Sequence, residues 1–125
     1  MATEAAKPAP HTIEAQIDSL RKKRSKIERG GGKERIDKQH ASGKLTARER
    51  IERLVDQGSF QEAGLFAKHR STYFGMADKE VPADGVVTGC AKIDRRTVHL
   101  ASQDFTVLGG AAGEVHCSKI ADTMQ

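Results

Sequence analysis

The chain has 125 residues, 37% of them hydrophobic, 4% aromatic and 30% charged, with no Trp and a formal net charge of +4. That length holds one domain at most, and with so few aromatic residues, no Trp and nearly a third of the chain charged, an independently stable core is not expected. No run approaches the ~18 apolar residues of a membrane span, and the two cysteines make no Cys-x-x-Cys pair, so neither a zinc site nor a disulfide framework is indicated.

Residues 1–60 carry 14 Lys and Arg against 9 Asp and Glu, or +5, while residues 61–125 carry 7 against 8, or −1. Any role facing a polyanion therefore belongs to the first half. Residues 1–11 lack both the apolar stretch of a secretory signal and the Arg-rich face of a transit peptide, and are expected as a disordered tail. Cys90 and Cys117 are expected as reduced, buried thiols of a cytoplasmic protein.

Residues 12–57 read as a charged helical segment. Ile13, Ile17, Leu20 and Ile27 fall at helical spacing after Thr12, a suitable N-cap, and Gly30-Gly31-Gly32 is a firm stop. The resulting helix, 13–29, has a narrow apolar seam that needs a partner surface. A short helix follows over Lys33–His40 and ends at Ser42-Gly43. Thr46-Ala47-Arg48-Glu49 has the capping-box form, and the helix it opens turns Ala47, Ile51, Leu54 and Val55 inward.

From residue 58 the period changes. Phe60–Phe66 suits a short strand and residues 67–83 an irregular loop. Val86–Ile93 and Thr97–Ala101, joined by Asp94-Arg95-Arg96, predict an antiparallel hairpin, and the small residues Gly89 and Ala91 predict a close neighbour. After Gly113 a helix places Cys117, Ile120, Ala121 and Met124 on one face.

Between hairpin and helix runs Ala101-Ser102-Gln103-Asp104-Phe105-Thr106-Val107-Leu108-Gly109-Gly110-Ala111-Ala112-Gly113-Glu114. A junction of this kind offers unpaired N–H groups at a helix N-terminus, suited to anionic or carbonyl groups of a ligand. The glycines are equally explained as a sharp turn from strand to helix, and spacing alone leaves both readings open. A dinucleotide fingerprint needs Gly where Leu108 stands. Gly30-Gly31-Gly32-Lys33 lacks the flanking residues of a phosphate-binding loop, with Ile27 and Glu34 at the required positions. Arg21-Lys22-Lys23-Arg24, with Lys26 and Arg29, is interrupted by acids and has no aromatic residue nearby, which favours a solvated or subunit-facing helix over nucleic-acid binding. The five histidines show no metal-ligand spacing. Asp104 is placed to orient a neighbour or cap the following turn. Ser102 has no nucleophile context.

Gly30-Gly31-Gly32, Lys38-Gln39-His40, Gly43–Arg50, Gly58-Ser59-Phe60, Lys68-His69-Arg70, Asp84–Gly89 and Ser102–Thr106, in this order and spacing, resemble the carboxyltransferase (β) subunit of biotin-dependent acyl-CoA carboxylases of the propionyl-CoA and methylmalonyl-CoA type. The match runs from about residue 12 to the end. Family members are about four times longer, so the resemblance implies an α/β fold in which residues 58–125 form the start of a crotonase-like half, preceded by the charged helices and incomplete as a stand-alone domain.

It further implies transfer of CO2 from carboxybiotin, delivered by a biotin carboxylase or biotin carrier subunit, to the α-carbon of an acyl-CoA such as propionyl-CoA. Enolate charge in such a reaction is stabilised by backbone N–H donors, which the resemblance places in a Gly-Gly motif outside these residues. No catalytic residue and no metal are therefore assigned here. On the CoA side it implies Ala101, Ser102, Gln103, Asp104, Phe105, Thr106, Gly109 and Gly110 at the ligand, with Arg48 or Arg50 at CoA phosphates. It also implies a cytoplasmic homo-oligomer, hexameric in the family, with neither nucleic acid nor membrane as partner. Cys90-Ala91 stands where Arg-Gly is more usual, and Ala111 where Ser is common. Two alternatives share these features: an interaction module that docks on a carboxylase partner, and the decarboxylase subunit of a sodium-pumping acyl-CoA decarboxylase.

Overall fold

A computed structural model describes residues 11–125. Of the expected tail, only His11 falls within them, in the turn before the first helix. Helix α1, Ile13–Glu28, starts where the Thr12 hydroxyl accepts the Ala15 N–H at 3.2 Å, and it buries none of its residues. Of its expected seam, Ile13, Ile17 and Leu20 lie exposed and only Ile27 is half-buried, so among the described residues most of the seam is uncovered. Helix α2 spans Lys33–Ala41.

Helix α3, Ala47–Leu54, carries the capping box in full: Thr46 Oγ1 accepts the Glu49 N–H and Glu49 Oε2 accepts the Thr46 N–H at 2.7 Å. Ala47 and Ile51 are buried as expected, but Leu54 is 59% exposed because it ends the helix on the outer side.

The sheet is antiparallel with order β1-β2-β3, where β1 is Gln61–Ala63, β2 is Val86–Ile93 and β3 is Arg96–Gln103. The hairpin is longer than expected and its turn shorter. Ile93 pairs with Arg96, leaving Asp94 and Arg95 at φ +50° and +68°, the doubly left-handed form of a two-residue hairpin. Neither residue is Gly. The Asp56 carboxylate compensates by accepting the N–H of Asp94 at 3.0 Å and of Arg95 at 2.8 Å.

Directly opposed residues share a face. Val87, Gly89 and Ala91 with Ser102, Leu100 and Val98 form the face toward α3, where Ala47, Ile51 and Val87 make the core with Val55, Phe60 and Leu100 beside it. The small residues expected to admit a neighbour do so: a Cβ on Gly89 would stand 2.1 Å from the Gln61 carbonyl oxygen. Val86, Thr88 and Cys90 form the opposite face, which helix α4, Glu114–Met124, partly covers.

Helix α4 is rotated from the expected orientation. The buried positions are His116 and Lys119, whereas Cys117 and Ala121 are exposed and Met124 is 76% exposed. The buried-thiol expectation fails with it, since Cys117 is exposed and Cys90 only half-buried. Among the described residues no helix is long and apolar enough to cross a membrane.

Candidate functional site

Two runs that stand far apart in the sequence meet at the end of β3. The first is the turn Pro82–Gly85, in which Ala83 and Asp84 hold left-handed φ of +50° and +48°. Such strain persists only when the surroundings fix it. Here α4 supplies the ties: the His116 N–H donates to Asp84 Oδ2 at 2.7 Å, His116 Nδ1 donates to the Asp84 carbonyl at 2.8 Å, and Lys119 Nζ donates to the carbonyls of Ala83 at 2.7 Å and Val86 at 2.5 Å. With Nδ1 donating, Nε2 of neutral His116 accepts from Gln103 Nε2 at 3.3 Å. His116 is fully buried. Burial also holds the Lys119 ammonium below its ordinary pKa, against the weaker opposing pull of Glu62 and Asp84.

The second run is the turn after β3. Its Asp104 N–H donates to the Gly85 carbonyl at 2.8 Å, which joins the two runs. Asp104 Oδ1 accepts from the Thr106 N–H at 2.9 Å and its hydroxyl at 2.6 Å, so Asp104 does cap the turn. Thr106 in turn receives the start of the chain: Gly31 N–H donates to its hydroxyl at 3.0 Å and Arg35 to its carbonyl at 3.3 Å. The triple glycine is thus more than a helix stop. A Cβ on Gly31 would lie 1.8 Å from Thr106 O.

These ties sort the expected site residues into two sets. Ser102, whose hydroxyl donates to the Ala47 carbonyl at 3.2 Å, faces inward with Asp104 and the buried Thr106. Ala101, Gln103, Phe105 and Gly109 form the exposed edge, with Phe105 61% exposed. Gly110, at φ +79°, lies so close to the Phe105 ring that a Cβ would meet it at 3.1 Å. The backbone there is sharply turned, with Leu108 and Gly109 also left-handed.

Two sequence expectations meet obstacles. The N-terminus of α4 is not open to an anion, because the Asp84 carboxylate already takes the third N–H of the helix and answers its dipole. Arg48 commits both terminal nitrogens to Glu62, at 2.6 and 2.9 Å, in a pair whose Glu62 side chain is only 10% exposed. Arg50 is exposed and forms no ion pair among the described residues. The His116 and Lys119 ties carried no signal in the sequence, since nothing there sets them apart from the other polar residues of α4, such as Ser118, Asp122 and Thr123. Among the described residues no three His, Cys, Asp or Glu side chains gather as a metal site.

A family model described as carboxyl transferase domain matches residues 38–125. The chain is 54% identical over 114 residues to the methylmalonyl-CoA carboxyltransferase 12S subunit of Propionibacterium freudenreichii subsp. shermanii, covering 91% of this chain and 22% of that protein. It is 53% identical over 109 residues to the methylmalonyl-CoA decarboxylase subunit alpha of Propionigenium modestum, covering 87% and 21%. A crystal structure of transcarboxylase 12S, a hexamer assembly with methylmalonyl-coenzyme A and methylmalonic acid bound, superposes with a TM-score of 0.90 at 54% identity, over 94% of this chain and 23% of that one. The chain therefore spans little more than a fifth of the length of these relatives, and over that span it shares the crotonase-like carboxyltransferase fold.

Proposed function

The chain belongs to the carboxyl transferase domain family, and from that premise we propose that it forms the CoA-facing edge of an enzyme that moves CO2 from carboxybiotin to the α-carbon of a short acyl-CoA such as propionyl-CoA. The observation that carries this reading is the exposed edge Ala101, Gln103, Phe105 and Gly109, held rigid by its inward neighbours, within a stretch 54% identical to a methylmalonyl-CoA carboxyltransferase.

The edge positions ligand and performs no bond-making step itself. Phe105, exposed beside Gly110, offers an aromatic surface, while the turned backbone at Leu108–Gly110 lets a ligand approach the main chain. Ser102, Asp104 and Thr106 hold that edge against α3 and the first helices. Arg50 remains available to a CoA phosphate, and Arg48 serves the packing of α3 on β1. The donors that stabilise the enolate belong to residues outside these 125. Biotin arrives on a carrier subunit, and the assembled enzyme is a cytoplasmic homo-oligomer, hexameric like the 12S relative.

Residues 12–57 act as a packing segment and residues 58–125 as the start of the crotonase-like unit; the two meet in the α3 core of Ala47, Ile51 and Val87 and at the Gly31–Thr106 contact. The test is kinetic, on the enzyme with its biotin partner: Phe105→Ala raises KM for propionyl-CoA about tenfold, the scale of one lost aromatic contact, with carboxybiotin kinetics unchanged. An unaltered KM would remove Phe105 and its edge from the CoA site.

The 53% identity to a methylmalonyl-CoA decarboxylase subunit keeps a second reading in view, with the same acyl-CoA and the carboxyl group leaving it. Because transfer between biotin and the acyl-CoA is reversible, the complete complex separates the two: methylmalonyl-CoA formed from propionyl-CoA, ATP and bicarbonate supports the first reading, and CO2 released from methylmalonyl-CoA with the biotin carrier present supports the second.

A further inference from the structure

Helix α1 carries a seam of coiled-coil spacing: Ile13, Ile17, Leu20, Arg24 and Ile27 follow one another at 4, 3, 4 and 3 residues. Ile27 is half-buried, whereas Ile13 is 71%, Ile17 43% and Leu20 52% exposed. A helix of about this length is marginal in water without packing, so the seam calls for a cover. Resting on the reading of the assembled enzyme as a homo-oligomer, we propose that α1 packs antiparallel against α1 of a second copy of this chain, through Ile13, Ile17 and Leu20.

The charge along the helix selects that occupant. Residues 13–20 hold the acids Glu14 and Asp18 and no base, while residues 21–26 hold Arg21, Lys22, Lys23, Arg24 and Lys26 and no acid. An antiparallel copy therefore sets an acidic start beside a basic end, twice over by two-fold symmetry. With Ile17 facing Leu20 of the second copy, Ile13 faces the stem of its Arg24, and Glu14 flanks the seam beside its Arg21. A parallel copy would instead set Arg24 against Arg24 within the seam.

The helix leaves these groups accessible. Arg24 Nε donates to Glu28 Oε1 at 2.8 Å, so the one charge on the seam is met within its own helix. Arg21 stands 3.7 Å from Asp18 in an exposed pair that water screens, and Glu14 is exposed. Lys26 pairs with Glu80 and the Gly31 N–H donates to Thr106, which ties the basic end of α1 to its own copy and leaves the apolar residues of the first two turns open.

Sedimentation velocity of the full-length subunit over a dilution series tests this, with Ile17→Glu, Glu14→Arg and Glu14→Arg/Arg21→Glu beside the unaltered protein. All three positions are exposed, so the substitutions spare the fold. Each acts twice in a symmetric contact: Ile17→Glu raises the dissociation constant of the assembly about 100-fold and Glu14→Arg about tenfold. Exchanging both charges restores the parent value. Glu14 and Arg21 lie about 10 Å apart along their own helix, so that rescue reports pairing between copies. Unchanged dissociation in Ile17→Glu overturns the α1 pairing and leaves the oligomer standing; a thermal midpoint lowered alongside it, equally at every protein concentration, marks a seam covered by its own chain. Weakening by Ile17→Glu without rescue by the charge exchange overturns the antiparallel arrangement. An unaltered protein that stays a monomer overturns the pairing and the oligomer together.

Discussion

Gly31 has the least room of the described glycines. The carbonyl of Thr106 sits where a Cβ would go, and Gly31 N–H donates to the Thr106 hydroxyl across the same contact. Backbone cannot retreat as a side-chain tip can, so Gly31→Ala is expected to cost about 1–3 kcal/mol by overpacking, read as a lower urea midpoint with unchanged slope. A midpoint equal to the parent's would mean the first helices are not seated on residue 106. The sequence shows three glycines after a helix and suggests a stop. The second use of Gly31 is invisible there because its partner is 75 positions away. The same limit hides Lys119 and His116, polar residues buried because backbone carbonyls of a strained turn accept their hydrogens.

Among the elements, α1, α2 and α3 start and stop where caps and glycines place them, because those signals act within four residues. The hairpin is equally legible in its β-branched pattern. Helix α4 is not. Its apolar residues lie at helical spacing, yet the helix docks by its polar side, and periodicity has no means of weighting a lysine that satisfies two carbonyls above a methionine. The run Ala101–Thr106 stands out in the sequence, whereas the occupied N-terminus of α4 requires Asp84 to be seen in place. The α3 cap also makes a prediction about acid. Glu49 is held below its ordinary carboxyl pKa by its hydrogen bond from His40 first and the Thr46 N–H second. A lowered folded value means stability fully present above the unfolded value of 4.5 and lost as pH falls from there through the lowered folded pKa. In a pH series the unfolding midpoint of the parent should therefore drop relative to Glu49→Gln below pH 4.5. Parallel curves for the two proteins would show that the box contributes no pH-linked stability.

At the scale of the whole molecule, a small core coexists with a large uncovered apolar area. Ile13, Ile17, Leu20, Phe66, Tyr73, Phe74 and Met124 are all exposed, Phe74 completely. Singly such residues are ordinary, but this many around a core of a few side chains mark surfaces that pack against further protein. A polypeptide limited to these 125 residues is expected to bind the dye ANS strongly and to unfold with a slope below that of a fully packed domain of its length. A steep, ANS-silent transition would show instead that the sheet and its two helix layers suffice.

The seam between Gly31 and Thr106 also sets an order in time. During synthesis at ~5–20 residues per second, the 75 residues between them take about 4–15 s to emerge. Through that interval α1 and α2 have no turn to sit on, and Gly31 and Arg35 lack the Thr106 groups they bond in the fold. Closing so long a loop is slow to begin. The first helices of this protein are therefore made early and seated late, and whatever guards them in the interval guards the fold.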